Sequence, residues 1–74
     1  MSDIRKKFGK RLRRLRRNMD LTQEDLAERV GVSVTFIGQM ERGENAPSFE
    51  TLEKLAQVLE VEVDELFRQR DARP

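Results

Sequence analysis

What the 74-residue chain lacks narrows its chemistry before any pattern is read. It has no cysteine, so no disulfide staples the fold and no thiolate can bind a metal or attack a substrate. It has no histidine, which removes the commonest metal ligand and the commonest general base. Its apolar runs are only a few residues long, far short of the roughly 20 needed to span a bilayer. The start, MSDIRKKFGK, is charged with no apolar stretch behind it and does not read as a secretory signal. Acidic residues are plentiful, yet no pair sits in a recognisable catalytic frame. These absences argue against an enzyme, a bound cofactor, a metal site and a membrane span, and they set a cytoplasmic protein as the expectation. With 36% hydrophobic and 39% charged residues, one small helical domain is what the chain can support. Its core is modest, and a stability of about a few kcal/mol is expected.

What is present is distributed unevenly. The formal net charge is only +1, but residues 1–17 carry nine basic side chains against Asp3 alone. The remaining residues hold six basic and thirteen acidic side chains. A basic pole on an acidic body points to a polyanion met by one face. Within that pole Ile4, Phe8, Leu12, Leu15 and Met19 recur at helical spacing, which predicts a first helix over about Asp3–Asn18 with one apolar stripe. Lys6, Lys10 and Arg14 stand four apart on it, as do Lys7 and Arg11. Like charges at that spacing cost a few tenths of a kcal/mol per pair, and cations near a helix N-terminus oppose its dipole. A phosphate-facing role explains why the sequence tolerates this; a merely solvated face is the plain alternative.

The most informative stretch is Gln23 to Arg42, QEDLAERVGVSVTFIGQMER. Thr22 and Asp25 are spaced as a capping box, and Glu24 and Asp25 place negative charge at the positive end of a helix dipole. Ala27 is small enough for a crossing helix to approach. Gly31 supplies the positive φ of a sharp helix stop, and Ser33 caps the next helix. Leu26, Val30, Ile37 and Met40 then point inward from both helices, with Val32 in the turn. The pattern reads as a helix-turn-helix, whose second helix is free to enter a DNA major groove. An ordinary αα-hairpin uses similar caps and is the bland alternative.

Downstream, Gly43 and Asn45 suit a turn, Pro47 cannot continue a helix, and Ser48 can cap a fourth helix. That helix is expected to face inward with Phe49, Leu52, Leu55, Ala56 and Leu59. A short fifth helix is expected over about Asp64–Gln69, with Val61, Leu66 and Phe67 as its candidate inner residues. The tail from Arg70 to Pro74 is polar and expected to fray. There is no internal repeat and no low-complexity segment. Residues 1–74 read as a single all-α domain with its core over about 8–67.

The segments TQEDLAERVGVS, FIGQMERG and APSFETLEKLAQVLEV resemble the Xre/Cro-type, phage-repressor-like helix-turn-helix family over roughly residues 8–67. The resemblance implies a compact five-helix domain with the helix-turn-helix at helices 2 and 3, double-stranded DNA as partner, and transcriptional regulation. It implies base contacts from Val34, Thr35 and Gln39. Gln39 can pair bidentately with adenine or singly with another base, Thr35 offers a hydroxyl and a methyl, and Val34 suits a thymine methyl or helix-start packing. It implies that Gln23 clamps a backbone phosphate and braces the start of helix 3, and that Arg16 pairs with Glu41 as a structural tie. Phe36 is divided between packing and the sugar-phosphate backbone. Gly38 lets the backbone lie close to DNA or lets another helix pass. Arg42 and Asn45 are candidates for a phosphate on the other flank, and Lys6, Lys10 and Arg14 are the helix 1 contributors.

Such regulators bind as two-fold homodimers on inverted repeats, and Val58, Val63 and Phe67 are the candidate dimer surface, with Phe67 equally able to close the monomer core. The chain departs from the family pattern at Asp20 and Glu60, where glycine is usual, and at Glu62, a poorer cap than the usual serine. So short a chain leaves no room for a ligand-sensing domain, so control through concentration, dimerisation, operator spacing or a protein partner is expected. Two rival readings remain. An interaction module or antitoxin-like regulator held by a protein partner predicts an exposed apolar patch near helix 5. A membrane-surface binder would use amphipathic helix 1, but Phe8, Leu12 and Leu15 are needed in the core and no lipidation motif is present.

Overall fold

The computed structural model describes residues 3–68. Among them are four α-helices and one 3-10 helix: α1 (Ile4–Asn18), α2 (Gln23–Val30), α3 (Val34–Glu41), α4 (Phe49–Leu59) and a final 3-10 turn (Val63–Phe67). Each α-helix starts on a side-chain cap. Asp3, Thr22, Ser33 and Ser48 accept from the backbone N–H three residues on. At Thr22 the capping box is complete, with the Asp25 carboxylate accepting from the Thr22 N–H at 3.0 Å.

All four α-helices also stop the same way. Asp20, Gly31, Gly43 and Glu60 follow the helix ends with φ of 58°, 86°, 77° and 61°. In each case the next N–H reaches back to a carbonyl five residues earlier: Leu21 to Arg16, Val32 to Ala27, Glu44 to Gln39 and Val61 to Ala56. This left-handed stop satisfies carbonyls that the helix end would leave orphaned. At Asp20 and Glu60 it is made without glycine, in a region costing other L-residues roughly 1–2 kcal/mol.

The core gathers Phe8, Leu12 and Leu15 of α1, Leu21, Leu26, Ala27 and Val30 around α2, Ile37 and Met40 of α3, Leu52, Leu55, Ala56 and Leu59 of α4, and Leu66. Met19, Val32, Phe36, Val58 and Val61 pack against its edge. Gly9 sets how closely α1 crosses the end of α3. A Cβ there would lie 2.6 Å from the Glu41 carbonyl oxygen and nearer still to that of Met40. Both neighbours are main chain and cannot swing aside.

Three sequence expectations are corrected. The fifth helix is a 3-10 turn, not an α-helix. The Glu62 N–H donates to Glu65 Oε2 at 3.2 Å across its start. The Glu65 carbonyl accepts from the Arg68 N–H three residues on at 3.4 Å and from Arg11 Nε at 2.9 Å, and Arg68 is already extended, which ends the turn. Phe49 does not face inward: it is 84% exposed at the first position of α4, leaving Leu52 to begin the buried face. Ile4 is 61% exposed because the apolar stripe of α1 outruns the core beneath it. The fraying expected of Arg70–Pro74, and the end of the fifth helix at Gln69, lie outside the described residues.

Candidate nucleic-acid interface

Helix α3 is fixed at its C-terminal end by a buried polar knot. Arg16 Nε and Nη2 donate to Glu41 Oε2 and Oε1 at 2.6 and 3.1 Å, and Arg16 Nη1 donates to the Leu21 carbonyl at 2.7 Å. Gln23 Nε2 donates to the same Glu41 Oε1 at 3.0 Å. The Glu41 carboxylate thus receives three hydrogen bonds, from α1 and from the first residue of α2. Gln23 therefore braces the end of α3, not its start, which corrects the sequence reading. Ser33 supports the start, its hydroxyl accepting from the Phe36 N–H at 3.0 Å.

Ile37 and Met40 are buried, so α3 turns its other side outward. Val34 is 41% exposed, Thr35 is exposed, and Gln39 is half-buried. Phe36 is half-buried against the core edge. No helix passes at Gly38: a Cβ there would meet only the Arg42 side chain, its guanidinium 3.1 Å away.

Cations flank this face. Arg13 and Arg17 of α1 line a cleft of about 390 Å³ with Arg16, Gln23, Glu41 and Arg42, where the α2 N-terminus meets the end of α3. Lys10 and Arg14 share a neighbouring depression with Arg13, Arg17 and Asn18. Lys6 lies against Gly43 in the loop after α3. Lys6, Lys10, Arg13 and Arg17 follow one another at spacings of four, three and four, a single helical stripe on the side of α1 that meets α3. The sequence reading did not single out Arg13 and Arg17, which line this cleft. The signal was available in their position three before and one after Arg16, whose partner Glu41 stands beside Gln23.

Arg42, expected on the other flank, thus lines the same cleft as Gln23, and it is partly occupied. Its Nε and Nη2 donate to Glu44 Oε2 and Oε1 at 2.9 and 3.2 Å, with both side chains more than half exposed. That hydrogen bonding holds the Glu44 carboxyl below its ordinary 4.5 and raises Arg42 above its own usual value. Asn45 Nδ2 donates to Gln39 Oε1 at 3.3 Å. At the α2 start, hydrogen bonds from the Thr22 backbone and then its hydroxyl hold the Asp25 carboxyl below its ordinary 3.8.

The three candidate dimer residues differ. Val58 is half-buried against the core, and Val63 and Phe67 are each 38% exposed. The Phe67 ring lies on that of Phe8 with centroids 5.3 Å apart. It also borders a shallow apolar groove with Ile4, Arg5, Ala46, Pro47 and Leu52. Among the described residues no helix is long and apolar enough to cross a membrane.

A family model for the helix-turn-helix, HTH_3, matches residues 12–66. The chain belongs to the Xre/Cro-type helix-turn-helix family. The HTH-type transcriptional regulator y4dJ of Sinorhizobium fredii is 42% identical over 72 residues, covering 97% of this chain and 94% of that one. The phage CTXphi transcriptional repressor RstR of Vibrio cholerae is 38% identical over 60 residues, covering 81% of this chain and 54% of the repressor. Among solved structures, the restriction-modification controller protein C.AhdI of Aeromonas hydrophila superposes with a TM-score of 0.81 at 43% identity, covering 85% of this chain and 96% of its own. The helix pair α2–α3 of this Xre/Cro-type member is thus the helix-turn-helix of a transcriptional regulator family.

Proposed function

We propose that this Xre/Cro-type regulator binds double-stranded DNA sequence-specifically, with α3 in the major groove and two copies on an inverted-repeat operator. The observation that carries the reading is the exposed face of α3, Val34, Thr35 and half-buried Gln39, with the cations of α1 and Arg42 gathered beside it. Val34 and Thr35 meet base edges or thymine methyls, and Gln39 hydrogen-bonds a base. Gln23, with the free N–H groups at the start of α2, takes one phosphate. Arg13 and Arg17 share that cleft, with Lys10 and Arg14 beside them. Arg42, which lines the same cleft, and Asn45 and Lys6 take further phosphates, and the exposed edge of Phe36 lies along the backbone. These contacts set position, and the base contacts set sequence.

A single module of this size buries roughly 600–1,000 Å² on DNA, which favours pairing. Val63, Phe67 and the edge of Val58 supply the apolar surface for a second copy. The rival reading, a module held by a protein partner, draws on the same exposed apolar side chains.

Selection of bound duplexes from a random pool at physiological salt tests the proposal. An enriched inverted repeat with half-site centres about 10 bp apart supports it. Binding without enrichment reduces the protein to an electrostatic binder, and no binding at all transfers the case to the protein partner.

A further inference from the structure

Asn45 lies just past the end of α3, and its side-chain amide is engaged at both ends. Its Oδ1 accepts from the Ala46 backbone N–H at 2.9 Å, and its Nδ2 donates to Gln39 Oε1 at 3.3 Å. The first bond determines the second. A backbone N–H can only donate, so the asparagine oxygen must face it, and the end turned to Gln39 is the NH2. That NH2 can only donate, so Gln39 must turn its oxygen toward the loop. The orientation of the Gln39 amide is therefore set by the main chain two links away. What Gln39 offers an outside partner is its own NH2, a pair of donors.

We propose that Asn45 is a positioning residue for base selection. It holds Gln39 with its donors outward, so that the base under Gln39 is a keto base, guanine through O6 and N7 or thymine through O4. The proposal rests on the reading that Gln39 meets a base edge. A glutamine free to rotate presents oxygen and NH2 side by side and pairs with adenine N7 and N6. Held by Asn45, it has its oxygen engaged by the loop through one lone pair and turns its NH2, a pair of donors, to the groove. Cytosine, which presents its N4 donor there, is disfavoured against the donors turned toward it. The second hydrogen of Asn45 Nδ2 remains available to a phosphate, so the two uses of Asn45 are compatible.

The charge-neutral logic of the link predicts a switch. In Asn45→Asp one carboxylate oxygen accepts from the Ala46 N–H and the other accepts from Gln39 Nε2. Gln39 is then turned over and presents its oxygen to the base. The acceptor-outward amide selects the amino bases, cytosine through N4 and adenine through N6.

The experiment is duplex selection on the full chain, in parallel for wild type, Gln39→Ala, Asn45→Ala and Asn45→Asp. Asn45 is exposed, so these substitutions leave the core intact. The operator position that loses its preference in Gln39→Ala is expected to be guanine or thymine in the wild type. At that position Asn45→Ala admits adenine, and Asn45→Asp moves the preference to cytosine or adenine by on the order of tenfold. A wild-type preference for adenine there, or a preference indifferent to Asn45→Asp, overturns the proposal alone. If no position responds to Gln39→Ala, the base-reading role of Gln39 fails, and the proposal with it.

Discussion

Arg16 and Glu41 close a two-point ion pair between α1 and the last residue of α3, with side chains only 9% and 3% exposed. A pair this far from water is costly to break from one side, because the remaining charge is left without its partner. Glu41→Ala is therefore expected to destabilise the fold by about 3–5 kcal/mol, enough to unfold most of a domain this small at room temperature. Replacing both partners by apolar residues of similar volume, Arg16→Met with Glu41→Leu, is expected to recover much of that loss. Urea denaturation of the single and double variants checks it, and additive losses would show that the pair is not coupled.

Gly9→Ala introduces one methyl group where two main-chain carbonyls stand in the way. The helices must part, and overpacking of this kind costs about 1–3 kcal/mol. Thermal unfolding measures the cost. A variant as stable as the wild type would mean that α1 and α3 do not approach as closely as described.

Two helix stops use the left-handed region without glycine. Glu60→Gly and Asp20→Gly are each expected to stabilise by about 0.5–1 kcal/mol, the relief at φ > 0 being partly offset by the freer unfolded chain. For a domain of this size that raises the melting temperature by roughly 2–8 °C. Calorimetry decides it, and a fall in either variant would count against strain at that stop.

The Asp25 carboxyl is held below 3.8 in the fold, so the unfolded chain takes up its proton first as the pH drops. The stabilisation is complete above that value and is lost as the pH falls through the lower folded one. Asp25→Asn is expected to flatten the acid side of the stability profile below about pH 3.8 and leave neutral behaviour governed by the cap alone. An unchanged acid limb would remove the capping box from that account.

Arg13→Gln with Arg17→Gln is expected to lower the slope of log K against log salt by about 1.8, the value for two phosphates. Base preference should stay unchanged. Glu44→Gln is expected to strengthen binding on every sequence alike, because it frees Arg42 and removes a negative charge beside the backbone. Titrations at several salt concentrations check both, and a sequence-dependent change in either variant contradicts the phosphate assignment.

The features legible in the sequence were local ones. Thr22 and Asp25, Ser33 and Ser48 act within one helical turn, and Gly31 answers to its own backbone. The four- and three-residue spacing of Phe8, Leu12 and Leu15 is equally self-contained. Features that depend on where another element lies were not legible. Phe49 continues the apolar pattern of α4, yet none of the described residues covers it. Gly9 looks like any helical glycine until α3 crosses it. Arg13 and Arg17 cannot be told from Lys7 or Arg14 by composition, since only the position of Gln23 and Arg42 singles them out. The fifth helix is present as a 3-10 turn, and its tie to Arg11, more than fifty residues away, could not be read from the local pattern.

The contact at Gly9 has a consequence for how the molecule measures its target. With main chain against main chain, α1 cannot tilt or slide without carrying α3 along. On the proposed mode of binding, the cations of one helix and the side chains of the other assigned to bases are teeth on a single gauge, set at fixed intervals. A gauge of this kind has no give of its own. Where an operator's phosphates and bases do not match the intervals, the duplex must bend or twist to fit, and its stiffness becomes part of what is recognised.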